Sequence, residues 1–565
     1  MSQPGELATT LHQAEWFLYR DGPRNTALNL LNRSTSIEDG FGLRNPDRDD
    51  PTADTTGIQE PVMTVVYVAA NDMMHAFRAG PQACTGVGTC PTTGNEGGGR
   101  ELWGFVPFDL LPRLAEKRRP QSRVEPTFML SSSLRFGDVF VPGTYTGADG
   151  VIRPGKWRTM MFIGRGPGGK YMTALDITGP GPFTRKALET KLPTVVWNRG
   201  NPDTDDGLTT GPDNKTTNAG IDLGDTDRTA YATMGETWSV PALVPVDPTL
   251  PGVFSKEWIL WMGSGFSDVT TEGKNFYTID VLTGDVLHTV GVGSAASATR
   301  TNFLSAAVAG FVPNKLGALQ SGNSINAADG PATAAFVGDL HGRLFRVSAS
   351  DLTTASTLKD LGTDQPIGVA VAALDLADAG INKPHVYGVT GADNRIFDPK
   401  GVPLVATPPF KLFGVRDDGA AITDLFSVNF PERFRGSTQP LAGVDFSAGR
   451  SAVFFIGTQF NPAGTSTTST EPCVSSFDSI IFILDSKTGN AVYDLQTGTA
   501  DDRSAIWRGQ KVQNITARNK QVVLDTGLNA GAAPVPPPPP TPQGNSVVPS
   551  VFTNAVRYGS PVCKW

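Results

Sequence analysis

Ala335-Phe336-Val337-Gly338-Asp339-Leu340-His341-Gly342-Arg343-Leu344-Phe345-Arg346-Val347 reads as a single tight hairpin. An apolar run stops at Gly338, the residues from Asp339 to Gly342 have turn chemistry, and the run from Arg343 alternates polar with apolar. β-Branched and aromatic runs of four to eight residues around Gly- and Asp-rich turns are the signature of antiparallel strands. The same wording recurs on both sides. It is found in Val65–Ala70 with Met73–Phe77, in Met160–Gly164 with Tyr171–Asp176, and in Trp258–Gly263 with Phe276–Asp280. It returns in His385–Val389 with Arg395–Phe397, and in Val453–Gly457 with Ile480–Asp485.

Two of these second strands run into the same corner, Asp280-Val281-Leu282-Thr283-Gly284 and Asp485-Ser486-Lys487-Thr488-Gly489; Asp176-Ile177-Thr178-Gly179 is a shortened form. The Asp carboxylate accepts a backbone N–H further along the turn, and Gly takes the left-handed conformation that sends the chain back. Self-similar hairpins with variable connections mark a radial repeat, because one small sheet cannot bury both of its faces alone. The expected fold is all-β, a β-propeller of about seven irregular blades. Successive anchors lie about 50–100 residues apart, against roughly 40–50 for a plain blade. Long insertions are therefore expected, at 79–100, 198–234 and 461–478. A β-sandwich is the structural alternative, but it gives no reason for a repeated Asp-x-x-Thr-Gly corner.

Composition agrees. The 565 residues include 63 Gly and 44 Pro, and only 18% are charged, which is turn-dense and poor in long helices. A formal charge of −8 with no broad basic field speaks against nucleic acid as a partner. No stretch approaches the apolar length of a transmembrane segment, and the first residues carry no signal-peptide pattern. The chain divides into an N-terminal lead-in, 1–60, the propeller, 61–530, a Pro-rich linker, 531–545, and a C-terminal segment, 546–565, expected to dock back as a strand. The four cysteines suit one short disulfide loop, Cys84–Cys90, and one longer staple, Cys473–Cys563; four unrelated thiols is the alternative reading. A zinc site fits less well, since no C-x2-C spacing occurs.

The order and wording of these segments resemble the C-terminal domain of the type IV pilus tip adhesin and biogenesis factor family, the PilY/PilC type. The resemblance rests on Val66-Tyr67-Val68 with Asn71–Phe77, on Glu101–Pro107 with Leu110-Leu111-Pro112, and on Trp157-Arg158-Thr159 with Gly168-Gly169 and Ala174–Thr178. It continues through Glu236–Pro241, Gly263–Phe266, Phe336–Arg346 and Gln365-Pro366-Ile367, and spans roughly residues 60–490 in family order. It implies a modified, quinoprotein-like β-propeller and a non-enzymatic role in pilus assembly, retraction control and adhesion to surfaces or host cells. The implied partners are minor pilins of the pilus tip complex and a surface or host-cell receptor. The implied location is outside the cytoplasm: periplasm, outer cell surface and pilus tip. Members usually carry a signal peptide and a von Willebrand factor A-like region, so the chain is expected to be a C-terminal fragment or the product of a split gene.

Many members place a calcium loop just before the Gly-Asp-Leu strand. At the matching positions this chain has Ile325, Ala327, Asp329, Gly330 and Thr333, so Asp329 is the one carboxylate left to hold Ca²⁺. Asp203-Thr204-Asp205-Asp206-Gly207 and Asp222–Asp227 are further cation candidates, with a polar insertion as the plainer reading. The rival function is a quinone-dependent (PQQ) dehydrogenase on the same scaffold. Ala76–Ala79 followed by Gly99–Trp103 resembles the tryptophan-docking corner of such enzymes, a corner that packs blades in catalytic and non-catalytic relatives alike. The adjacent-cysteine platform of many of those enzymes is missing from the sequence. No catalytic residue is assigned. Arg165-Gly166-Pro167-Gly168-Gly169 reads as a turn inside a hairpin, and His75, His341 and His385 as packed strand residues. The basic run Arg113, Lys117, Arg118, Arg119, Arg123 reads as a solvated face.

Overall fold

The computed structural model describes residues 19–20, 64–70, 73–78, 101–111, 114, 129–132, 134–146, 152–177, 193–201, 230–245, 258–267, 272–292, 309–311, 334–348, 355–378, 381–391, 409–419, 421–431, 434–445, 450–461, 476–492, 504–507, 511–518 and 521–527. They form successive antiparallel meanders. Sheet 1 runs Tyr19–Arg20, Thr64–Ala69, Met74–Arg78, Glu101–Phe105; sheet 2 runs Leu134–Thr146, Ile152–Gly164, Tyr171–Asp176, Thr194–Gly200. Sheet 3 is Ala242–Pro245, Trp258–Gly263, Asn275–Asp280, Val286–Gly291, and sheet 4 is Ala309–Phe311, Ala334–Gly338, Arg343–Ser348, Ala355–Asp360. Sheet 5 is Ala372–Asp378, Ile381–Val389, Lys411–Asp417, Ile422–Asn429. In sheet 6, Arg435–Gly436 and Leu441–Asp445 both pair with Arg450–Asn461, followed by Ser476–Asp485 and Ser504–Trp507.

Side-chain alternation explains why these sheets stack. In sheet 3, Ile259 and Trp261 point to one side and pack with Ala335, Val337, Phe345 and Val347 of sheet 4. Their neighbours Leu260 and Met262 point the other way, to Met160, Phe162 and Met172 of sheet 2. Sheet 4 repeats the division: its other face, Ala334, Phe336 and Leu344, meets Val386, Phe413 and Val415 of sheet 5. Sheets 1 and 2 share a seam through Tyr67, Met74, Met161 and Ile163, and sheets 5 and 6 through Tyr387, Leu412, Phe455 and Phe482. A strand whose residues are buried on both faces needs a sheet on each side. Each large side chain so buried contributes about 1.5–3 kcal/mol.

The first strands of sheets 2 to 6 meet one another in succession and line the axis. The fourth strands lie outermost, and in sheets 3, 4 and 5 most of their positions are half-buried or exposed. This is a β-propeller of irregular blades. Lys511–Arg518 and Gln521–Gly527 form a two-stranded ribbon against sheet 6.

Each of the six sheets is built on one of the hairpins read from the sequence, with one difference. Ile381–Val389 pairs on its two edges with Ala372–Asp378 and Lys411–Asp417, and Arg395–Phe397, the expected second strand, lies outside the described residues. The later segment buries Leu412, Phe413 and Val415 completely. A second feature was not foreseen. In sheets 1 to 5 the register slips once between the third and fourth strands, at Ala76/Phe77, Ala174/Leu175, Thr278/Ile279, Leu344/Phe345 and Gly414/Val415. These are β-bulges, and each increases the twist of the outer pair.

The Asp-x-x-Thr-Gly corners lock neighbouring sheets. Asp280 Oδ1 accepts the N–H groups of Leu282 at 2.7 Å and Thr283 at 3.2 Å, and Gly284 takes φ 73°. The corner sits on the fourth strand of sheet 2, where Trp197 Nε1 donates to the Val281 carbonyl at 2.8 Å. The Asp485 corner is its copy, with Lys487 N at 3.0 Å, Thr488 N at 2.9 Å and Gly489 at φ 68°, and it rests on Phe426 of sheet 5. A Cβ on Gly284 would lie 2.7 Å from the Trp197 ring. Gly284→Ala is therefore expected to lower unfolding stability by about 2–4 kcal/mol, combining left-handed strain with overpacking. The urea midpoint measures this.

Candidate functional site

One end of the ring gathers the tips between second and third strands together with the segments that lead into each sheet. These segments thread between tips. Gly166 N donates to Thr237 O at 3.2 Å and Thr237 N to Gly169 O at 3.0 Å, while Glu236 N donates to Phe266 O at 2.6 Å. Two sheets on, Ile367 N donates to Asp339 O at 2.9 Å and Gly391 N to Pro366 O at 2.8 Å. The loop Arg165–Gly169 is thus a turn, as read, and its glycines are needed for contact. A Cβ on Gly168 would stand 1.8 Å from the Met129 carbonyl oxygen.

Polar clusters are buried in this end. Arg165 is fully buried and forms a two-point pair with Asp109, Nε to Oδ2 at 2.9 Å and Nη2 to Oδ1 at 2.6 Å. Nη1 donates to Ile163 O at 2.9 Å, and Nη2, besides Asp109, lies within hydrogen-bond distance of Thr173 Oγ1 at 2.7 Å and Asn198 Oδ1 at 2.8 Å. Asp109 stands on a short 3-10 turn, Phe108–Leu110, set by Pro107. Asp339 accepts His341 N and Arg343 N, each at 2.9 Å, and the Arg343 side chain at 2.6 and 2.8 Å. Burial pushes the Asp339 carboxyl above the ordinary range, while Arg343 pulls it back. Tyr277, hydrogen-bonded to Thr233 Oγ1 at 2.6 Å, is pushed up to about 12 by burial.

The three histidines do not converge. His75 is half-buried on sheet 1, 2.7 Å from Glu101 Oε1 and stacked on Phe77. His341 is buried in the sheet 4 tip, and His385 in sheet 5, with Nδ1 2.9 Å from Lys383 O. Each is a packed residue in its own sheet. Trp103, from the resemblance to a docking corner, packs into the seam between sheets 1 and 2. Asp329, Cys84, Cys90, Cys473, Cys563, the carboxylates of 203–207 and 222–227, and the basic run from Arg113 to Arg123 lie outside the described residues. Among the described residues no group of three or more His, Cys, Asp and Glu could hold a metal ion, and no helix is long and apolar enough to cross a membrane.

Sequence reading missed Asp109 and the partners of Arg165, because a charge pair across 56 positions leaves no local pattern. The one available signal is an Arg inside a Gly-rich tip, where a solvated arginine would need no such compact turn. At this end the structure can fix loops rigidly.

Asp109→Asn leaves the buried guanidinium without its counter-charge and is expected to cost about 3–5 kcal/mol, whereas replacing both partners with apolar residues costs less. Paired urea titrations distinguish the two. A second prediction concerns pH. Asp418 accepts from Arg416 at 2.9 Å, Lys383 at 2.5 Å and Thr423 Oγ1 at 2.6 Å, and the Arg416 bonds first, then Lys383, hold its carboxyl well below the usual range. A depressed carboxyl stabilises the fold above its unfolded value of about 3.9, and that contribution fades as pH falls toward the folded value. The stability gap between the wild type and Asp418→Asn is thus expected to be full at neutral pH and to narrow below about pH 4. Urea midpoints at both pH values test it.

No family model and no curated protein sequence matches the chain. Among solved structures it is similar to BamB from Moraxella catarrhalis, at 10% sequence identity and a TM-score of 0.24, over 70% of this chain and 78% of that one. It is also similar to the Kuenenia stuttgartiensis hydrazine synthase, at 9% identity and a TM-score of 0.26, over 59% of this chain and 66% of that one. With the Pseudomonas aeruginosa PilY1 C-terminal domain the identity is 14% and the TM-score 0.45, over 82% of this chain and 91% of that one.

Proposed function

We propose that the chain is a non-enzymatic protein associated with the type IV pilus tip, acting in pilus assembly, retraction control and attachment to surfaces or host cells. In this role it is exported, meets minor pilins, and presents a receptor-binding surface. The observation that carries the proposal is the run of family-like segments in order from about residue 60 to 490. Where these segments are described, they occupy structural seams: Glu236-Thr237 and Pro366-Ile367 join hairpin tips, and Phe336 and Leu344 fill the seam between sheets 4 and 5. The rigid seams support a presentation role, in which variable connections on a stiff scaffold make the contacts.

In the source organism, a clean deletion of the gene is expected to reduce surface pili, twitching and attachment, and re-expression to restore them. Wild-type piliation, motility and attachment in the deletion strain would overturn the role. The non-enzymatic part has its own test. Purified chain supplied with pyrroloquinoline quinone and calcium is expected to reduce no dye with alcohols or sugars, and reproducible turnover would establish the dehydrogenase instead.

A further inference from the structure

Lys170, Asn201 and Glu272 are buried together at the seam between sheets 2 and 3, at 6%, 6% and 8% exposure. Lys170 closes the hairpin tip of sheet 2, Asn201 follows that sheet's fourth strand, and Glu272 leads into the third strand of sheet 3. The first two backbones lie side by side, with Asn201 N donating to Lys170 O at 3.0 Å. Gly200 permits this approach, since a Cβ there would stand 2.2 Å from the same carbonyl oxygen.

Glu272 bridges the two side chains. Its Oε1 accepts from Asn201 Nδ2 at 3.0 Å and from Lys170 Nζ at 3.2 Å. Its Oε2 lies 3.0 Å from Nζ and accepts from Ser267 Oγ at 2.6 Å, which fixes the carboxylate. The carboxamide is fixed as well, because Nδ2 also donates to Met234 O at 3.0 Å and Ala232 O at 3.2 Å. An amine, a primary amide and a proton carrier that touches both nitrogens are thus held in one water-poor site.

We propose that Lys170 and Asn201 become joined by an isopeptide bond, with Glu272 carrying the protons. Glu272 takes one proton from the Lys170 ammonium, which removes two charges from a place where charges are poorly solvated. The neutral Nζ attacks Asn201 Cγ, a new N–C bond forms, and the Cγ–Nδ2 bond breaks. Glu272 passes protons from Nζ to the departing nitrogen, which leaves as ammonium, and the carboxylate is regenerated. No oxidant or co-reactant is needed. The bond ties the third-strand side of sheet 2 to the end of its fourth strand and closes residues 170–201 into a covalent loop.

The inference does not depend on the pilus role, and its test reads mass alone. The purified full chain is kept at neutral pH, then measured by intact mass and by protease peptide mapping. Most molecules are expected to weigh less than their sequence by one ammonia and to yield a branched peptide joining Lys170 to Asn201. In Asn201→Asp the same step releases water, so the deficit becomes one water. Glu272→Gln is expected to keep its full mass while remaining folded by circular dichroism. Should that variant fail to fold, the wild-type peptide map alone decides. Separate, unmodified Lys170 and Asn201 peptides from the wild type would overturn the proposal and leave a buried ion pair only. A cross-link that persists in folded Glu272→Gln would overturn the assignment of Glu272.

Discussion

The middle strands of these sheets are apolar on both faces, and everything else in the molecule follows from that. Ile259 and Trp261 face one neighbour, Leu260 and Met262 the other. No single sheet can keep both sets from water, so a sheet without its neighbours would expose an apolar face of its own. Stability is therefore shared along the ring, and the polar locks serve the same end. The Asp280 and Asp485 corners hold one sheet to the previous one, and the lead-in segments bind one hairpin tip to the next.

Much of this was legible in the sequence because the signals are local. A Gly-terminated apolar run, a turn and an alternating run lie within a dozen or so residues, and the Asp-x-x-Thr-Gly corner is shorter still. What escaped is non-local. The pairing of Ile381–Val389 with Lys411–Asp417 is one such case, because a long connection separates the two strands. The bulges leave no residue signature, since they fall at Ala, Thr, Leu and Gly alike. The buried charges were invisible for the same reason: Asp109 meets Arg165, and Lys170 meets Glu272, only after two sheets have come together.

The family-like segments carry structural rather than chemical information. They are the residues that threading and packing require, such as Gly168 against Met129 or Ile367 against Gly338. Such residues identify an architecture while saying little about what its connections touch. His75 and His385 fit this picture, each in a separate sheet and held by a neighbouring group.

The recurring slip between third and fourth strands has a consequence for how crowded copies of the chain behave. The rim strand of a small sheet offers unpaired backbone groups along its length, an open template for a strand from another molecule. A bulge at the same place in five sheets coils that rim and breaks the straight run of donors and acceptors a newcomer would need. The outer strands of these five sheets are thereby guarded against edge-to-edge aggregation.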